Sequence, residues 1–156
     1  MTISTMFLAP ADGTRVLLPA IGIEQRILVG ASVSEGQLAM LEETTQPGKG
    51  PPRHVHHRQT EIFRFLEGEY ELVVGERRYV ATAGAAAVVP PGIVHAFRNI
   101  GPTPARLLFI LTPALGGEAF FIELAAAMTR GKSDEALLRE LAQRHGTEIV
   151  GPPLGG

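Results

Sequence analysis

The 18 glycines and 12 prolines among the 156 residues constrain this chain most. They are spread as punctuation between short apolar segments, a distribution that predicts many short strands and tight turns rather than disorder. Segments 15–18, 21–29, 37–45, 61–66, 70–74, 77–81, 88–89, 94–98 and 105–111 read as strands. The first is an edge strand ended by Pro19, and Gly75-Glu76 is a two-residue hairpin turn. In 37–45, Leu38 and Met40 share one face and Ala39 and Leu41 the other; Glu42 and Glu43 read as a solvated strand end. The unbroken run ARLLFIL at 105–111 predicts a strand buried on both faces.

After Pro113 the period changes. Phe120, Leu124 and Met128 recur every fourth residue, with Phe121 beside the first, which predicts a helix over 118–130 ended by Gly131. Ser133 offers an N-cap to a second helix, with Asp134 and Glu135 in its first turn and Leu137, Leu138 and Leu141 facing inward. Arg144 and His145 occupy its last turn, Gly146 can close it, and the tail 151–156 reads as extended. The expectation is an all-β sandwich or closed barrel over 1–113, followed by a helical extension over 114–156 packed on the barrel's outside or across a dimer.

Charge and composition narrow the function. The net charge is −2 and no run of like charge occurs, so neither nucleic acid nor a membrane surface is an expected partner. There is no cysteine, hence no disulfide, thiolate ligand or thiol nucleophile. Residues 1–10 lack the basic and apolar regions of a secretory signal, so a cytoplasmic protein is expected.

The chemistry concentrates in residues 48–68, GKGPPRHVHHRQTEIFRFLEG. Strand period places His54 and His56 on one side, and Glu61 follows five residues later. Two imidazoles and a carboxylate converging there start a metal site that still needs a fourth ligand. The same period turns His57 outward. Phe63 and Phe65 alternate in phase with Glu61, while Arg64 alternates out to the surface. The stretch GAAAVVPPGIVHAFRN at 84–99 carries the candidate fourth ligand, His95, with Phe97 on its side and Arg98 out of phase. Asn99 reads as a strand-end cap, Gly68, Gly84 and Gly92 as turn glycines, and Pro90 and Pro91 as turn rigidity. His145 is given no part in the site.

Together these stretches resemble the two signature motifs of the cupin superfamily. The pattern G-x5-H-x-H-x4-E-x6-G falls on Gly48, His54, His56, Glu61 and Gly68, and G-x5-P-x-G-x2-H-x3-N falls on Gly84, Pro90, Gly92, His95 and Asn99. The 15 residues between them resemble the gap of compact single-domain microbial members. The similarity covers 37–112 by motif and strand order, and the flanking sequence is similar to quercetin 2,3-dioxygenase-like cupins.

The resemblance implies a jelly-roll barrel with one metal inside, iron, manganese, nickel or zinc, held by His54, His56, Glu61 and His95. Four protein ligands leave positions open for water, substrate or dioxygen, unlike a closed structural zinc site. Met40, Phe63, Phe65 and Phe97 are the expected apolar lining for a small, partly apolar or aromatic substrate. The leading expectation is a metal-dependent dioxygenase in which Glu61 also serves as general base. A metal-dependent isomerase, epimerase or lyase and a non-catalytic binding protein are the alternatives. A homodimer through the apolar outer residues Ile62 and Leu66 is expected as well.

Overall fold

The computed structural model describes residues 3–132 and 134–156. Ten strands come first: β1 (Thr14–Leu18), β2 (Ile23–Val29), β3 (Ala39–Thr45), β4 (Pro52–His56), β5 (Thr60–Glu67), β6 (Glu69–Val74), β7 (Arg77–Thr82), β8 (Ala86–Val89), β9 (His95–Asn99) and β10 (Ala105–Thr112). Helices α1 (Gly117–Thr129) and α2 (Glu135–Arg144) follow, then a last strand, β11 (Thr147–Pro153).

The strands form two antiparallel sheets, ordered β1-β2-β3-β10-β5-β8 and β11-β4-β9-β6-β7. The pairs nest around the turn at Gly75-Glu76: β6 with β7, β5 with β8, β4 with β9, β3 with β10. Successive pairs fall in alternate sheets, so one long hairpin is wrapped into a jelly roll. The turn closes with Val74 opposite Arg77 and Gly75 at positive φ, as its sequence predicts.

Inward side chains of the two sheets make the core. Phe63, Phe65, Tyr70 and Leu107 are almost fully buried, and the aromatic rings stack edge to face from Phe63 through Phe97 to Tyr70. Gln46–Pro52 leads from β3 into β4 and is pinned to β9, where Gly48 N donates to Asn99 O and Asn99 N to Lys49 O, both at 2.9 Å. Asn99 is more than a strand-end cap. Its buried amide donates to Thr45 O and Thr103 O, and its Oδ1 accepts from Gly101 N. Gly50 crosses this seam so closely that a Cβ there would lie 1.9 Å from Phe97 O. Gly68 has φ +83°, and a Cβ would sit 2.5 Å from that of Ala105.

Four expectations are corrected. Met40 faces outward, opposite Ile110 and Val29, while Ala39, Leu41, Glu43 and Thr45 point in. Both faces of 37–45 begin with apolar residues, so the pattern there was symmetric; the buried partners of Glu43 and Thr45 decide the phase. β10 alternates buried with half-buried residues rather than being buried on both faces, because nothing in the described chain covers its outer side. The extended tail expected over 151–156 begins earlier than expected, as the strand Thr147–Pro153 paired with β4. The helices do not lie against the outside of the sheets: their apolar stripes enter the cavity described below. Ser133, the expected N-cap of α2, lies outside the described residues; Asp134 accepts from Leu137 N and caps the helix.

Replacing Gly50 by alanine forces the loop off β9. The expected cost is about 1–3 kcal/mol of stability, the usual range for overpacking. Urea unfolding of Gly50→Ala measures it, and a midpoint equal to wild type would mean that the close approach carries no weight.

Candidate metal centre and its cavity

β4 carries His54 and His56 on one face, with Val55 buried on the other. His95 opens β9 directly opposite His54, and Glu61 stands near the start of β5. One ligand atom from each of these four residues lies within 4.8 Å of the others. Glu61 Oε2 is 2.7 Å from His95 Nε2, 3.1 Å from His56 Nε2 and 4.0 Å from His54 Nε2.

The far side of each ring explains how it is aimed. His54 Nδ1 donates to Pro52 O at 2.8 Å, and His95 Nδ1 to Ile93 O at 3.0 Å. A carbonyl only accepts, so these rings carry hydrogen on Nδ1 and the neutral ring turns the Nε2 lone pair inward. His56 Nδ1 lies 2.9 Å from Thr147 Oγ1, contributed by β11. Three imidazole Nε2 atoms, two of them fixed as lone pairs, and a carboxylate oxygen thus point at one small volume. Acceptors facing each other at these distances repel unless a proton or a metal ion lies among them. The nitrogen-rich, mixed donor set fits a divalent transition metal, and the backing of each imidazole by a hydrogen-bond acceptor is how metal-binding histidines are commonly oriented.

The local electrostatics agree. Burial pushes His54 down to about 3, and the neighbouring His95 and His56 push the same way, so its ring stays neutral. Burial raises Glu61, but His56 and His95 outweigh it and hold the carboxyl well below the usual range. Burial opposes a charge on His95, yet the Glu61 carboxylate beside it leaves its proton affinity raised. His57 points out and meets Glu148 at 2.8 Å, as strand period predicts. Arg64 is exposed. Arg98 is half-buried against Glu71 at 3.1 Å, away from the cluster.

His54, His56 and Glu61 open into a cavity with a predominantly apolar wall. Phe97 is part of its lining. Phe63 and Phe65 are not: they are buried behind the wall in the aromatic stack. Strand phase correctly turned them inward, but an inward side chain in a small barrel is more often filling than lining. The other wall comes from Leu18, Ile23 and Phe109, and from Phe120, Phe121 and Leu124 of α1 and Leu138 and Ala142 of α2. The helices therefore form one wall of the cavity. His145, given no site role from sequence, stands at its edge, 3.2 Å from Glu123.

Gln25, Glu43, Gln59 and Thr147 are polar lining residues not predicted from the sequence, and the first two are linked. Glu43 is 3 % exposed and Gln25 1 %. Gln25 Nε2 donates to Glu43 Oε2 and Thr45 Oγ1 to Glu43 Oε1, both at 3.0 Å; Tyr70 donates to Thr45 Oγ1 at 3.1 Å. Burial raises the Glu43 carboxyl to about 7, against the opposing pull of these hydrogen bonds and with a further push from the Glu61 charge. The signal was present in the alternation Ala39, Leu41, Glu43, Thr45.

Residues 41–111 match the family described as a cupin domain, Cupin_2. Over 81 residues the chain is 31% identical to mannose-1-phosphate guanylyltransferase RfbM of Salmonella typhimurium, covering 52% of this chain and 17% of that protein. Over 76 residues it is 36% identical to the HTH-type transcriptional regulator PuuR of Escherichia coli, covering 49% of this chain and 41% of PuuR. The chain thus spans less than half the length of either relative. Among solved structures, that of a predicted oxalate decarboxylase from Thermotoga maritima superposes with a TM-score of 0.63 at 19% identity, covering 69% of this chain and 98% of that one; at this identity the likeness is one of fold. No helix among the described residues is long and apolar enough to cross a membrane.

Glu43 makes stability depend on pH in a direction opposite to that of an ordinary paired carboxylate. Its folded pKa lies above the unfolded value of 4.5, so the folded state holds more protons between pH 4.5 and about 7, and stability falls as pH rises through that window. Glu43→Gln keeps the shape without the proton. Relative to wild type, the variant is expected to gain on the order of 3 kcal/mol between pH 4 and pH 8, read by chemical denaturation at both. A constant difference would show that Glu43 ionises freely.

Proposed function

We propose that this cupin-domain protein is a metal-dependent enzyme acting on a small oxygenated metabolite with an apolar, aromatic or enolic body, and that the reaction is an oxygenation. The observation that carries the reading is the convergence of three inward imidazole nitrogens and one carboxylate at the wall of an apolar cavity. His54, His56, Glu61 and His95 would hold the ion. A bound transition metal supplies Lewis acidity and, where redox-active, electrons for dioxygen chemistry.

The chain's own groups do the rest. Nδ1 bonds keep the three rings aimed, so little reorganisation is needed on binding. Phe97, Phe109, Phe120 and Phe121 bury the substrate body, and the helices exclude bulk water, which strengthens every polar contact inside. Glu61, ionised in the resting site, would be the acceptor for a substrate hydroxyl proton at its carboxylate oxygen.

A second reading is metal-assisted proton transfer without dioxygen, as in an isomerase or lyase. Glu43 favours it, because two carboxyls with affinities pushed apart in one cavity are a common acid–base arrangement. The names of the curated relatives, a nucleotidyltransferase and a regulator, describe much longer proteins and do not choose between the two.

We also propose a homodimer. Val88, Ile62, Ile110 and Met40 form one cross-strand row on the outer face of the six-stranded sheet. Val88 is 62% exposed and Leu66 is exposed nearby, so a second copy would cover an apolar stripe.

Three outcomes are expected. Elemental analysis finds one transition metal per chain, and chelation lowers the Tm by about 5–10 °C, the worth of a ligand present at roughly a hundred times its Kd. His95→Ala removes most of that difference; a Tm indifferent to chelation refutes the metal assignment. Oxygen-electrode traces over flavonols, catechols and β-diketones show uptake with the metal-loaded protein, whereas turnover that persists anaerobically selects proton transfer instead. Light scattering at micromolar concentration gives a dimer that Ile110→Glu dissociates, and a monomeric wild type overturns the interface.

A further inference from the structure

The buried Gln25 amide poses a question that the metal cluster does not answer. Gln25 lines the cavity, is 1 % exposed, and leaves Oε1 without a hydrogen-bond partner among the described residues. An unpaired buried amide oxygen costs about 1–3 kcal/mol, enough to be removed unless something repays it. Leucine at that place would satisfy the wall, since the lining around it is Ile23, Leu18 and Phe109. The amide is also held in place: its nitrogen is fixed to Glu43, Glu43 to Thr45, and Thr45 to Tyr70.

We propose that Gln25, positioned by Glu43, forms a hydroxyl-binding subsite, which reads an alcohol or phenol group on a substrate whose apolar body lies across the cavity toward His54, His56 and Glu61. The substrate class is therefore a compound with an apolar core and a hydroxyl remote from its metal-directed end. A hydroxyl fits better than a ketone or an ammonium. It donates to Gln25 Oε1 once a small turn of the side chain uncovers that oxygen, and because it also accepts, it satisfies the amide in either orientation. An ammonium would add a charge to an apolar chamber, and a ketone has nothing to donate. A substrate lacking the group leaves a buried acceptor unpaired, the kind of penalty by which polar sites reject deoxy analogues strongly.

The proposal rests on the reading of the cavity as a small-molecule site, and its test is independent of the metal. The metal-free full chain is titrated with 2-phenylethanol and with ethylbenzene, which share a shape and differ by one hydroxyl. Wild type is expected to bind the alcohol about five- to tenfold tighter, the worth of one recovered buried hydrogen bond. The alcohol alone should shift the Gln25 side-chain amide resonance. Gln25→Leu should lose the preference while binding ethylbenzene at least as well. Equal affinities in wild type overturn the subsite, and so does a preference that survives in Gln25→Leu. The wild-type comparison and the amide shift need no variant to fold. Zinc titration of the same samples reports on the cluster separately: absent zinc binding sinks the metal reading and leaves the alcohol preference to be judged by itself.

Discussion

His54 and His95 face each other across the β4–β9 ladder, and the site depends on that one register. The two residues are roughly equidistant from the turn at Gly75-Glu76, so folding the hairpin back on itself brings them together. A slip of one residue would turn the imidazoles of one strand to the other face of the sheet. The loop before β4 guards against this slip. It is bonded to β9 at both Gly48 and Lys49, next to Gly50, where the backbones approach too closely for any other residue.

Two carboxyls in this cavity experience opposite fields. Glu61 is surrounded by imidazoles and keeps its charge. Glu43 has only neutral donors and sits within reach of the Glu61 charge, so burial dominates and its proton is retained toward neutrality. Chemically identical side chains thus become a permanent anion and a titratable acid through their neighbours alone. The hydrogen-bonded line Tyr70, Thr45, Glu43, Gln25 runs from the aromatic core to the cavity wall, so the acid's position is fixed by the same packing that stabilises the barrel.

Much of this was legible in the residues. Strand period alone turned His57 out and Glu61, Phe63 and Phe65 in, and the two motif frames paired His95 with the rest. What stayed hidden had two physical causes. In 37–45 apolar residues occupy both faces, so period could not tell Met40 from Leu41, and Glu43 looked like a solvated end because its partner Gln25 belongs to a strand earlier in the chain. The helices showed their apolar stripes plainly. Their destination was not encoded locally, since a stripe of Phe120, Phe121 and Leu124 suits an outer sheet face as well as a cavity mouth.

β11 gives the molecule an order of assembly. Thr147, its first residue, is the group that orients the His56 ring, and β11 also completes the sheet beside β4. On a chain made from the N-terminus, the ligands at positions 54, 56, 61 and 95 emerge well before this strand. The Thr147 contact to His56 is therefore available only once the chain beyond α1 and α2 has been made. The aim of His56 within the candidate cluster is thereby tied to the C-terminal segment of the chain as well as to the barrel.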